Sequence, residues 1–222
     1  EKTLERDPDN AMAAGMLGDL YASIYQYGYE DSESLLDQAE KLGRKAVALD
    51  PNCQPAHFTM ALVHFLRGQR SQFLSEAEKA LELNPNHALN SAALALHLYM
   101  AGEQERGLEL THEVMRLNPH HPGWYHLVQF MNYYGQGEYD LALVEARRFN
   151  TPVFHFDPLI RAAVLGQLGR QAEASKAVAE LLALVPDFQT RGRSLIRRFA
   201  YLDEHVDLLV EGLRKAGFEL AA

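Results

Sequence analysis

Gly68, Gly102, Gly137 and Gly169 each stand between two stretches in which apolar residues recur at helical spacing, and the intervals between them are 34, 35 and 32 residues. A glycine takes the left-handed conformation that closes a helix without a Cβ penalty, so each one predicts the end of a first helix and the start of a second. Prolines close the pairs. Leu49-Asp50-Pro51, Leu83-Asn84-Pro85 and Leu117-Asn118-Pro119 repeat one phrase at intervals of 34 residues, and the residue before a proline is pushed out of the helical region. Six helix pairs follow, at about 9–50, 52–84, 86–118, 120–150, 155–185 and 188–217. No segment alternates apolar and polar residues between turn pairs, and Ala, Leu, Glu, Arg and Gln fill the interiors, so the pattern predicts an all-α chain of helices and short loops.

A strict period of 34 residues means an array, because one helix pair cannot bury its own apolar face and neighbouring pairs must stack to make a core. Such solenoids usually work by displaying a binding surface. Two places break the period. The interval from Pro8 to Pro51 is 43 residues, which puts an insertion near 25–34 and predicts a long connection or a helix extension in the first unit. Around Phe149 to Phe156 the expected proline is displaced to Pro152, which predicts a distorted junction and a bend or hinge. The repeat array is therefore expected over 1–186, about five pairs, with 187–222 an atypical capping pair of the same solenoid whose outer face meets water.

Composition narrows the function. With 47% hydrophobic and 23% charged residues among 222, the chain has the balance of a folded protein able to bury a large core. Its formal charge of −9, from 30 acidic and 21 basic side chains, argues against nucleic acid or an anionic membrane and suits a basic peptide or a mostly apolar partner. No apolar run approaches the roughly 18–20 residues that span a bilayer, and no secretory leader pattern opens the chain. A lone cysteine, Cys53, excludes an internal disulfide, is expected to pack near a helix start, and fits a reducing, cytoplasmic setting. The chain begins at Glu1 and enters helical sequence almost at once, which reads as a piece of a longer or processed protein.

The repeats resemble the tetratricopeptide family, whose pattern is a large residue, Leu-Gly and Tyr, then Ala, Phe, Ala and Pro at fixed offsets. Leu17-Gly18, Tyr21, Ala39, Ala46 and Pro51 carry the likeness in the first unit. Ala61, Ala77, Ala80 and Pro85 carry it in the second, Leu94-Ala95 with Pro119 in the third, Tyr125, Ala142 and Ala146 in the fourth, Ala174 and Pro186 in the fifth. The small residues let two helices approach while the large ones fill the gaps between. The resemblance implies a right-handed α-solenoid of antiparallel helix pairs. The segment Gly212-Leu-Arg-Lys-Ala-Gly-Phe218 is also similar to the ends of bacterial multi-domain signalling proteins, in which such a region follows an adenylate-cyclase-type or DNA-binding output domain.

In this family the first helix of each pair lines a concave groove. The resemblance then implies an apolar, aromatic groove with Phe58, Phe65, Tyr99, His126, Phe130, Tyr133 and Tyr134 as partner-binding residues, the fourth unit with Trp124-Tyr125 being the best contact zone. The Lys, Asn and Arg set with which family members grip a carboxylate tail is missing from the central repeats, so a carboxylate-clamp ligand is not expected. One basic cluster, Arg191, Arg193, Arg197 and Arg198, either docks an acidic partner or caps the array by pairing with Asp203, Glu204 and Asp207.

Ten histidines raise the question of a metal. His120-His121 with His126, and His57 with His64, lack the ligand company and the His-Glu-x-x-His spacing of a zinc site, so no metal and no cofactor are expected. No Gly-x-Ser-x-Gly, phosphate-cradling loop or dinucleotide fingerprint occurs. The residues point to a non-catalytic scaffold for a protein or peptide partner. The alternatives are an intramolecular regulatory or self-associating, homodimeric domain of a larger signalling protein, and an enzyme.

Overall fold

The computed structural model describes residues 2–221. Among the described residues there are thirteen α-helices, one short 3-10 helix and no strand. In chain order they are α1 (Lys2–Arg6), α2 (Ala11–Gln26), α3 (Ser34–Leu49), α4 (Gln54–Leu66), α5 (Arg70–Leu83), α6 (Ala88–Met100) and α7 (Gln104–Leu117). A 3-10 turn, Gly123–His126, runs into α8 (Leu127–Gly135), followed by α9 (Tyr139–Phe149), α10 (Phe156–Gln167), α11 (Gln171–Leu184), α12 (Phe188–Arg197) and α13 (Asp203–Lys215). The even-numbered helices α2 to α10 are the first members of five pairs, and the odd-numbered α3 to α11 the second. The architecture is an all-α solenoid of helix pairs.

The punctuation read from the sequence works at the backbone. Gly68, Gly102, Gly137 and Gly169, which end first helices, have φ of 71°, 94°, 77° and 67°, a region that a Cβ makes costly. The Leu-Asx-Pro phrase ends second helices: α3, α5 and α7 finish on Leu49, Leu83 and Leu117. Their caps Asp50, Asn84 and Asn118 turn to φ of −145°, −152° and −126°, each still donating its N–H four residues back. Proline thus stops each helix one residue before itself without leaving the cap donor unpaired.

Both interruptions of the period are visible. The first pair is joined by the long connection 27–33 between α2 and α3. At the displaced proline, Asn150 takes φ 35°, the Thr151 N–H donates to Asp157 Oδ2 at 2.5 Å, and Arg161 Nε holds the other carboxylate oxygen at 2.7 Å. Phe154 and Phe156 close over this turn against Phe199, with ring centroids 5.6 Å and 4.5 Å apart.

The chain divides at Leu94/Ala95, inside α6, into two compact units. In the first, α2 lies against α3 and α4 through glycines. A Cβ on Gly15 would come within 2.8 Å of the Ala56 backbone nitrogen, and one on Gly18 within 2.8 Å of Thr59 Cγ2 and 3.0 Å of the Ala39 carbonyl oxygen. Thr59 Oγ1 donates to the Gly15 carbonyl at 2.8 Å across the same contact, and Ala22, Leu36, Ala39, Leu62 and Val63 fill the core beside it. In the second unit, α7 meets α6 at Gly107, where a Cβ would lie 2.8 Å from the Ala95 carbonyl oxygen and the Tyr99 nitrogen. Phe130, Tyr134, Phe149, Phe156 and Phe188 are among the large buried side chains there.

Gly15→Ala forces α2 off α4 and is expected to cost about 1–3 kcal/mol, seen as a lower urea midpoint. Gly135→Ala, at a helical position with nothing within 4 Å of the new methyl group, is expected to be neutral or to stabilise by up to about 1 kcal/mol.

Candidate functional site

Five of the seven residues expected to line an open groove are closed over. Phe58, Phe65, Tyr99, Phe130 and Tyr134 are buried, Phe130 and Tyr134 at 0% exposure. His126 and Tyr133 are half-buried. Phe65 packs edge-on against Phe73 of its own helix pair, with ring centroids 5.4 Å apart, and Phe130 stacks on Tyr134 at 5.2 Å. An aromatic side chain with no surface left cannot also be an exposed contact, so these five form packed interior in this structure.

In the second unit the cover is α13, which crosses the first helices in turn. Near its start the His205 ring stacks on Tyr99 of α6, centroids 5.8 Å apart and planes 18° from parallel. One turn on, Tyr134 Oη of α8 donates to the Leu208 carbonyl at 3.2 Å and itself accepts from Gln167 Nε2 at 3.3 Å. Then α13 meets α10. A Cβ on Gly212 would fall onto Tyr134 Oη and lie 2.8 Å from the Ala163 carbonyl oxygen, and one on Gly166 would fall onto the Gly212 carbonyl oxygen and lie 2.6 Å from Ala216 N. Two glycines, one on each helix, therefore set the separation. Gln171 Nε2 donates to the Ala216 carbonyl at 2.8 Å and Lys215 Nζ to Gln167 Oε1 at 2.7 Å, fixing the far end.

The amphipathic pattern of α13 explains why it lies this way up. His205, Val206, Leu209, Gly212, Leu213 and Ala216 form one buried stripe, while Asp203, Glu204, Asp207, Arg214 and Lys215 are exposed. The basic cluster on α12 answers those acids. Arg193 pairs with Asp207 at 2.5 Å, Arg197 pairs with Asp203, and Arg191 reaches back to Asp187 at 3.3 Å. Arg198 is buried. Of the two roles open to this cluster, pairing within the chain is the one the geometry contains.

The titratable groups are displaced chiefly by burial. His97 and His155 are both pushed down to about 4, the second with the positive charges of Arg191 and Arg198 adding to the effect. Burial lowers His205 as well. In the first unit, Asp19 is raised to about 6 by burial, against a hydrogen bond from Ser23 Oγ at 3.3 Å. Two further histidines are held in pairs with glutamates: His57 Nδ1 lies 2.6 Å from Glu76 Oε2, and His126 Nδ1 lies 2.6 Å from Glu145 Oε2. These are the same place in two repeats, linking a first helix to a second. His121 stacks on Tyr125, centroids 5.2 Å apart. Among the described residues no three His, Cys, Asp or Glu side chains gather as a metal ion requires, and no helix is long and apolar enough to cross a membrane.

No protein-family model matches the chain, and no curated protein matches it. Among solved structures it superposes on a chain of the APC/C hetero-tetramer Cut9-Hcn1 with a TM-score of 0.71 at 14% identity, over 97% of this chain and 41% of that one. It is also similar to TTC0263, a thermophilic TPR protein of Thermus thermophilus, with a TM-score of 0.62 at 20% identity over 88% of this chain and 95% of that one. The chain has the tetratricopeptide-repeat fold. A further likeness is to YrrB, described as a TPR protein with an unusual peptide-binding site, with a TM-score of 0.50 at 16% identity over 84% of this chain and 92% of that one. The chain spans less than half of the Cut9-Hcn1 chain it matches. Tyr99, Tyr134 and Gly166 stand on three successive first helices, α6, α8 and α10, and α13 lies on all three. The sequence carried a signal for this, the apolar stripe from Val206 to Ala216 with two small residues one turn apart, but it was equally the signature of an ordinary cap.

Histidines held neutral with folded pKa values near 4, below the unfolded value of about 6.5, add stability that is complete above pH 6.5 and is lost as pH falls toward 4. Asp19 has the opposite sign, since its raised pKa adds stability below about pH 4 that is lost as pH rises through 6. The protection factors of amides in 95–222, corrected for the intrinsic pH dependence of exchange, are therefore expected to fall between pH 6.5 and 4, and His155→Phe is expected to reduce that fall without altering the first unit. Tyr134→Phe removes the hydroxyl that Gln167 and Leu208 share and is expected to cost about 1 kcal/mol in the urea midpoint.

Proposed function

We propose that the chain is a non-catalytic scaffold for a protein partner, and that it receives an α-helix against the first helices of its repeats. One observation supports this reading above the others: the faces of α6, α8 and α10 hold a helix in this structure, met by small residues at one end and by aromatic rings at the other. Helix-in-groove recognition needs those features, a close approach for the backbone and large rigid side chains to flank it. The fold neighbours agree in kind. One is a member of a hetero-tetramer and another is described as having a peptide-binding site.

Tyr133 and His126 keep part of their surface in the fourth pair and are the residues of the expected set that a partner can reach. Panning the full chain against a display library of helical peptides, beside one of extended peptides, tests the reading. Enrichment is expected from the helical library, and Tyr133→Ala is expected to weaken the selected peptides by about ten-fold, or about 1.4 kcal/mol, with the helical circular dichroism unchanged. Enrichment from the extended library alone, or from neither, overturns helix recognition.

A further inference from the structure

We propose that α13 is a self-supplied occupant of the helix-binding groove, holding closed a face that an amphipathic helix of a partner protein takes by displacing it. This rests on the scaffold reading above and goes further, in naming the groove, its present occupant and the chemistry of the replacement. The seat is closely fitted at one end and flawed at the other. Where α13 crosses α10, Gly166 and Gly212 meet backbone to backbone and Ala163 and Ala216 flank them, a contact that only a helix with small residues four apart can make. Where it crosses α6, His205 is buried on Tyr99 and hydrogen-bonds with the Met100 backbone, while its Nδ1 finds no hydrogen-bond partner among the described residues. A buried polar atom left unsatisfied weakens the contact it sits in. A helix with an apolar residue at that place gives up the ring's bond to the Met100 backbone but leaves no unpaired nitrogen in the contact, and so would compete with α13 for the groove.

The ties at the edge of the seat are of the kind that exchange readily. Arg193 with Asp207, Arg197 with Asp203, and Lys215 with Gln167 are all solvent-exposed, and exposed pairs contribute little to stability. When α13 leaves, Arg193 and Arg197 lose their carboxylates and face the incoming helix. The partner is thereby specified: an amphipathic helix with small residues in register with Gly212 and Ala216, aliphatic residues in register with Leu209 and Leu213, an apolar residue in place of His205, and acidic residues on the flank that faces α12.

The test uses the full chain and a fluorescent peptide of residues 201–219 with His205 replaced by Leu. The unaltered chain is expected to bind it weakly. Gly212→Leu drives a side chain into Tyr134 and Ala163 and expels α13 while leaving every groove residue intact, and it is expected to bind the peptide at least ten-fold more tightly. Adding Gly166→Leu blocks the groove itself and is expected to abolish that gain. Hydrogen exchange in Gly212→Leu separates release from unfolding. Loss of protection confined to α12 and α13 supports the proposal, whereas loss extending through α8 and α10 makes α13 part of the core and overturns it. An expelled α13 with no gain in peptide binding overturns it too. If peptides selected by panning bind the unaltered chain and Gly212→Leu equally well, the scaffold reading stands and the occupied groove falls.

Discussion

At several places among the described residues, helices come together where a side chain has been reduced to a hydrogen, and the rest of the structure is arranged around those contacts. Gly15 and Gly18 admit α4 and α3 against α2, Gly107 admits α7 against α6, and Gly166 with Gly212 admits α13 against α10. At each the missing Cβ would stand within about 3 Å of another helix, closer than real Cβ atoms pack. Once these separations are set, the volumes of Phe73, Phe130, Phe149 and Phe156 follow as the pieces that fill the spaces left. Dispersion and apolar burial then supply the stability, but the small residues decide which surfaces are available for burial.

The same rule converts an expected binding surface into interior. Aromatic residues placed on the groove face at helical spacing make a site when nothing lies on them and a core when a helix does. Tyr134 illustrates the difference: its ring is buried under α13, and its hydroxyl is then obliged to find partners, which it does in the Leu208 carbonyl and Gln167. His205 at the other end of α13 lacks that full satisfaction at Nδ1. Under the proposed displacement of α13, this asymmetry is what a competing helix would exploit.

Most of the fold was legible in the residues. Gly68, Gly102, Gly137 and Gly169 have the positive φ that their spacing implied, and Asp50, Asn84 and Asn118 leave the helix one residue before proline. These are local effects, carried by the residue itself and its neighbour, so they need no knowledge of the rest of the chain. The insertion before Ser34 and the distorted turn at Asn150 were legible for the same reason. The pairing of Arg193 and Arg197 with α13 was readable as one of two options, because charge names a class of partner and leaves its location open.

What the sequence alone determined, then, is the period, the caps, the all-α class and which face of each helix is apolar. What only the tertiary structure decided is what each apolar face meets: that α13 crosses Tyr99, Tyr134 and Gly166, and so buries residues expected to be open. The physical reason is that burial is non-directional. An amphipathic stripe states that a helix must be covered on one side, and any apolar surface within reach of the chain satisfies that demand. The choice among such surfaces is made by fit at a few small residues far apart in the sequence, and that fit exists only once the helices have come together.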